Sequence, residues 1–258
     1  MAKHLIISQL EKKTGQIDAT GLSHRELNAQ LKELVLQGAQ AIKLNNVCGQ
    51  RYLGTGLNRP VAITISGTPG NDLGSFMEGP EITVYGNAQD GCGNTMNDGQ
   101  IVVHGHAGDV VGLSARGGKI FIRDSVGYRA GIHMKEYGEK KPVIVIGGSA
   151  QDFCGEYMAG GVLILLGLNL NRDNGHKATF IGTGMHGGVM YLRDEVAAYQ
   201  VGKEVEITGL DGNDNRILST YVGEFAAHFN YDAQEILQHK FIKLFPRWLR
   251  PYGQLYAP

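Results

Sequence analysis

The chain has 258 residues, a formal net charge of −1, 38 glycines and three cysteines. Near-neutral charge removes nucleic-acid backbones and anionic membranes from the expected partners, and three cysteines do not suggest a secreted disulfide framework. The longest apolar stretch, Val162–Leu168, is far too short to cross a bilayer.

At the start, Lys3 leads into a short mixed segment rather than a signal peptide, so the expected location is cytoplasmic with reduced thiols. Ser23 with Glu26 has the spacing of a capping box. It predicts a helix from His24 to Gln37, with Leu27, Leu31, Leu34 and Val35 on one side and Gly38 as its stop. Residues 1–48 are read as an N-terminal α/β cap. Cys48 closes this segment, and no histidine or acid can be placed beside it, so it is not read as a nucleophile.

From there a repeat dominates. Ile63, Ile82, Ile101 and Ile120 stand 19 residues apart, each opening an I-x-[IV] strand. Taking the strand ends Gly67, Gly86, Gly105, Asp124 and Gly148 as anchors, Gly74, Gly93, Gly112, Gly131 and Gly155 follow at seven residues. Met77, Met96, Ala115, Met134 and Met158 follow at ten, and a sixth copy gives Gly182 and Met185. The strand pairs Ile63/Ile65, Ile82/Val84, Ile101/Val103, Ile120/Ile122 and Ile144/Ile146 share one face by alternation and point into a core common to all rungs. The prediction is an all-β fold: a parallel β-helix over residues 49–210, with about six to seven rungs and a body roughly 30 Å long at ~4.8 Å per rung. Lys135–Lys141 and Asn169–His176 are loops inserted into rungs.

The candidate chemical motifs read as parts of this repeat. His104-x-His106 offers two imidazoles, but His104 stands above Arg123 and the repeat places no third ligand nearby. Cys92 and Cys154 share a column with Leu73, Val111 and Ala130, three rungs apart, too far for a disulfide. Asn71, Asp90, Asp109 and Asp152 form an acidic turn column, read as turn residues bonding their own backbone rather than as calcium ligands. Gly182-Thr183-Gly184-Met185-His186-Gly187 matches G-x-G-x-x-G, yet Val189–Leu192 behind it reads as a strand, where a dinucleotide site needs a helix. The outward column Thr64, Thr83, Val102, Phe121, Val145 turns apolar along the stack, which marks either an interaction face or a surface covered by the chain's own terminus. Residues 211–258 are read as a C-terminal helical tail, with helical spacing over Phe225–Phe245 ending at Pro246.

The stretches Gly105–Gly112, Ser149–Gly161 and Gly182–Val189, within a resemblance covering about Gly49–Arg193, resemble the GXGXG domain of glutamate synthase. The ending Phe241-Ile242-Lys243-Leu244-Phe245-Pro246 resembles the close of that enzyme's large subunit. The same repeat occurs in one of the subunits of formylmethanofuran dehydrogenase. The resemblance implies a right-handed parallel β-helix with no catalytic, cofactor-binding or metal-ligating residue on this chain. It implies a structural subunit of a glutamate synthase-type complex, which makes glutamate from glutamine and 2-oxoglutarate. FMN and iron–sulfur clusters would then sit on partner chains, a glutaminase and an FMN-binding synthase subunit. The alternatives are the formylmethanofuran dehydrogenase-type subunit and a free-standing scaffold, with self-association into a homo-oligomer as its route.

Overall fold

A computed structural model describes residues 13–170 and 175–248. Lys3, four residues of the loop expected at Asn169–His176, and the last ten residues of the C-terminal tail lie outside them. The elements run β1 (Thr14–Asp18), α1 (His24–Leu36), β2 (Ala41–Cys48), β3 (Ala62–Thr68), β4 (Glu81–Tyr85), β5 (Gln100–Val103), β6 (Lys119–Ile122) and β7 (Val143–Ile146). They continue with β8 (Ala159–Leu165), β9 (Gly187–Arg193), β10 (Val205–Thr208), α2 (Gly212–Phe229), α3 (Ala233–Leu237) and β11 (Phe241–Pro246). One eleven-stranded sheet takes the order β1-β2-β3-β4-β5-β6-β7-β8-β9-β11-β10. Every pairing from β1 to β9 is parallel, so the chain is a parallel β-solenoid, as its period predicts.

Register explains the aliphatic columns. Ile42, Ile63, Ile82, Ile101, Ile120, Ile144, Leu163 and Met190 are successive partners across the ladders. A one-residue slip would turn all of them outward, so burial of this face pins the register. The column begins one rung earlier than the isoleucine period shows, at Ile42. The segment expected as a cap therefore contributes β1 and β2 to the same sheet. Its helix α1 is closed by both bonds of the capping box, Ser23 N–H to Glu26 Oε2 at 2.9 Å and Glu26 N–H to Ser23 Oγ at 3.3 Å. Leu27, Leu31 and Val35 are its buried side.

Between strands the backbone closes each rung by an arc that is not a strand and is nonetheless fully laddered. Three alternate residues of each arc have left-handed φ: Tyr52, Gly54, Gly56; Asp72, Gly74, Phe76; Gly91, Gly93, Thr95; Val110, Gly112, Ser114; Arg129, Gly131, His133; Phe153, Gly155, Tyr157; Phe180, Gly182, Gly184. The reason lies in the hydrogen bonds. The middle N–H of an arc donates back to the preceding rung (Gly112 to Cys92 O, 2.8 Å). The flanking two donate forward, Val110 to Tyr128 O at 2.8 Å and Ser114 to Ile132 O at 2.9 Å. Alternating handedness turns successive amides up and down the stack, so buried polar backbone finds partners where no strand exists. Of the three left-handed positions only the middle one points inward. A Cβ on Gly131 would stand 2.6 Å from Leu163 Cδ1. Glycine is therefore required there twice, by φ and by packing.

The methionine column (Met77, Met96, Met134, Met158 and Met185) is fully buried beside these glycines, filling irregular space between strands with flexible side chains.

A second core lies outside the solenoid. Val102, Phe121, Val145, Ile164 and Tyr191 pack beneath Leu218, Val222 and Phe225 of α2 and Ile236 of α3. The apolar column is thus covered by the chain's own C-terminal segment, and Phe121 is completely buried. The helical reading of Phe225–Phe245 needs correction: α2 starts earlier, at Gly212, and Phe241–Pro246 is strand β11. That strand pairs antiparallel with β9 and with β10, so it covers the β9 edge that a helix would have left open.

Gly131→Ala is expected to cost about 2–4 kcal/mol, adding left-handed strain to overpacking. Gly38→Ala, at φ +84° with nothing within 4 Å of the new Cβ, should cost only about 1 kcal/mol. Chemical denaturation of the two variants side by side checks the difference.

Candidate functional surface

Because the interior is filled by side chains, the exterior carries whatever the protein does. The flanking residues of the arcs point away from the glycine column and form one long face. Phe76, Tyr157 and Phe180 are exposed on it, all at left-handed φ, with Tyr128 nearby. Phe153 stacks on Phe180 with ring centres 4.8 Å apart, and His133 stacks on Tyr157 at 5.3 Å. Arg129 lies over the Phe153 ring at 5.0 Å and bonds Glu156 through Nε at 2.9 Å. A left-handed conformation costs a non-glycine residue about 1–2 kcal/mol, and for the β-branched Val110 and Thr95 it is a genuine outlier.

Beside this face run two side-chain ladders. Asp90 Oδ1 accepts from the Asp109 N–H at 2.9 Å, Asp109 Oδ1 from the Tyr128 N–H at 2.9 Å, and Asp152 Oδ1 from the Thr179 N–H at 2.8 Å. The turn reading of the acidic column has each carboxylate bonding its own backbone; each instead reaches one rung onward and ties the coils together. The second ladder is more varied. Asn87 Oδ1 accepts from His106 N–H at 2.9 Å, His106 Nδ1 from Ser125 N–H at 3.2 Å, and Ser125 Oγ from Ser149 N–H at 3.0 Å.

His106 is therefore a rung of a ladder. His104 is elsewhere, stacked on Tyr85 at 4.6 Å and edge-on to Phe229 of α2 at 5.0 Å. Burial under the helix, then the charges of Arg123 and His228, hold its pKa below the ordinary histidine value. The structure gives the two imidazoles different partners. Cys92 and Cys154 are fully buried in the arc column, where desolvation pushes each thiol up to about 12. Cys48 is exposed, and its N–H donates to Gln50 Oε1 at 2.7 Å. Gly182–Gly187 forms an arc whose Gly182 N–H donates to Cys154 O at 2.8 Å, and β9 follows. That context lacks the helix N-terminus on which a pyrophosphate would sit. Among the described residues no group of three or more His, Cys, Asp or Glu stands close enough to hold a metal, and no helix is long and apolar enough to cross a membrane.

Two buried polar groups were not visible in the sequence. Asp214, at the first turn of α2, accepts from Tyr191 Oη at 2.7 Å and from Lys243 Nζ at 2.9 Å. It joins β9, β11 and α2 at a single carboxylate that is 2% exposed. Burial pushes its pKa up, but the Asp211 N–H, the Lys243 ammonium and the Tyr191 hydroxyl outweigh it and hold the group below the usual carboxylate value. The second group is His176, whose Nε2 meets Arg193 O at 2.8 Å, while Gln200 Nε2 donates to His176 O at 2.6 Å. Partners 17 to 29 residues apart, each from a different element, leave no local pattern to read.

A model of the GXGXG motif family matches residues 17–250. The chain is also 46% identical over 250 residues to an uncharacterized protein, MJ1350, of Methanocaldococcus jannaschii, covering 94% of this chain and 96% of that protein.

Thiol titration should find one reactive cysteine, Cys48, in the native protein and all three after denaturation. Asp214→Asn should destabilise by about 2 kcal/mol at neutral pH, since it removes the charge from a buried, hydrogen-bonded pair. Asp214 has a depressed folded pKa, so its stabilisation is complete above the unfolded value and fades as pH falls through the folded one. The gap between wild type and variant, measured by urea denaturation, should therefore close below about pH 4.

Proposed function

The chain belongs to the GXGXG motif family, and from that membership we propose that it is the structural, non-catalytic subunit of a glutamate synthase-type complex. In this reading partner chains supply a glutaminase, which releases ammonia from glutamine, and a synthase carrying FMN and iron–sulfur clusters, which converts 2-oxoglutarate and ammonia to glutamate. This chain binds neither group. It fixes the distance and orientation between the two centres, a proximity effect that needs stiffness rather than reactive groups.

The observation that carries the reading is the filled interior beside a strained aromatic exterior. Ile120, Ile122, Ile146, Cys154 and Met158 are each at most 1% exposed, which leaves no substrate-sized space between the rungs. The arc face, in contrast, holds Phe76, Tyr157 and Phe180 in solvent on left-handed backbone. Aromatic anchors of this kind are what protein interfaces concentrate their binding energy in, and backbone strain gathers at such sites.

The test is purification of the tagged full-length chain from its native cells, with an absorbance scan and an assay for glutamine-dependent glutamate formation. A co-purifying yellow flavoprotein and a glutaminase are expected. A pterin–metal partner would replace the reading with the formylmethanofuran dehydrogenase-type complex, and a colourless homo-oligomer would replace it with a scaffold. Phe76→Ser should weaken partner retention by roughly 30-fold or more, about 2 kcal/mol, without lowering the melting temperature of the isolated chain.

A further inference from the structure

At the N-terminal end of the arc face, α1 and the first arc enclose a groove of about 340 Å³, lined by His24, Arg25, Asn28, Leu31, Lys32, Tyr52, Thr55 and Leu57 with Gly54. That volume is at the small end of ligand pockets. Some of its polar groups are already committed. Asn28 Nδ2 donates to His24 O at 2.7 Å and Arg51 O at 2.8 Å, fastening the helix to the arc. Thr55 Oγ1 donates to Asp72 O at 3.2 Å and meets Ser75 Oγ at 2.9 Å. The capping box of the helix takes up the Ser23 and Glu26 N–H groups.

What is left over is a set of cationic donors above an apolar floor. Arg25 and Lys32 lie on one stripe of α1, two turns apart, and form no ion pair among the described residues. His24 stands at the same mouth, its ring 6.3 Å from that of Tyr52. Among the described residues no acid lines the groove. The floor is Leu31 and Leu57, both buried. Tyr52 forms the aromatic wall at φ +65°, a conformation that a tyrosine adopts only when its surroundings impose it.

We propose that this groove binds a small organic anion, a carboxylate or phosphate ester joined to a flat apolar body. The anionic head takes charge-assisted hydrogen bonds from Arg25 and Lys32, and the body packs on Leu31, Leu57 and the Tyr52 ring. The site stands on the isolated chain and does not depend on the subunit reading above.

The experiment titrates the isotope-labelled full-length chain with phenyl phosphate and with benzoate, using inorganic phosphate and benzyl alcohol as controls, and follows amide resonances by NMR. Saturable shifts confined to His24–Lys32 and Tyr52–Leu57 are expected. One of the two aromatic anions should bind at least about tenfold more tightly than either control, and which one distinguishes a phosphate site from a carboxylate site. Arg25→Ala and Lys32→Ala should each weaken that binding roughly tenfold. Both side chains are exposed, so the melting temperature should hold. Absence of saturable shifts, equal binding of inorganic phosphate, or undiminished binding by the double variant would each overturn the proposal.

Discussion

Every rung of this protein depends on one backbone requirement: amide groups in the arcs must point alternately up and down the stack. Strands do this by pleating, whereas an arc that turns a corner needs residues of opposite handedness in alternation. The three left-handed positions per arc follow directly, as at Val110, Gly112 and Ser114. The solenoid is therefore hydrogen-bonded around its circumference, not only along its strands. The in-register isoleucines, the methionine column and the aspartate ladder are all built on that continuous frame.

The frame also divides labour between the faces. The inward-pointing left-handed position of each arc holds glycine, because side chains from further along the stack occupy the space where a Cβ would be, as Leu163 Cδ1 does at Gly131. Outward-pointing positions accept any side chain that can bear the strain. That freedom appears as Asp72, Phe76, Arg129, His133 and Tyr157 at equivalent geometry. A rigid inside and a variable outside suit a part whose work is done by contact with something else.

Legibility in the sequence followed the same division. The inward columns repeat with the rung, so Ile63, Gly74 and Met77 announce their successors, and the solenoid could be read at once. The outward left-handed positions have no common residue type, and their geometry was invisible until the backbone was seen. At the C-terminus, two local signals misled. Asp211 and Asp214 cap α2 with aspartate where the usual box has glutamate, and Gly212 is a poor opening residue. Phe241–Pro246 is apolar at both helical and strand spacing, so periodicity alone could not assign it. The Tyr191–Asp214–Lys243 contact is a product of tertiary structure and has no sequence signature.

The antiparallel seating of β11 against β9 gives the molecule a direction in time. Rungs can be laid down one after another as the chain is synthesised, each finding its template in the strand just completed. The last strand cannot. It follows α2 and α3 in the chain, which lie over an outer surface assembled from Val102 through Tyr191, and turns back along β9. The C-terminal segment thus acts as a clasp that closes a finished stack.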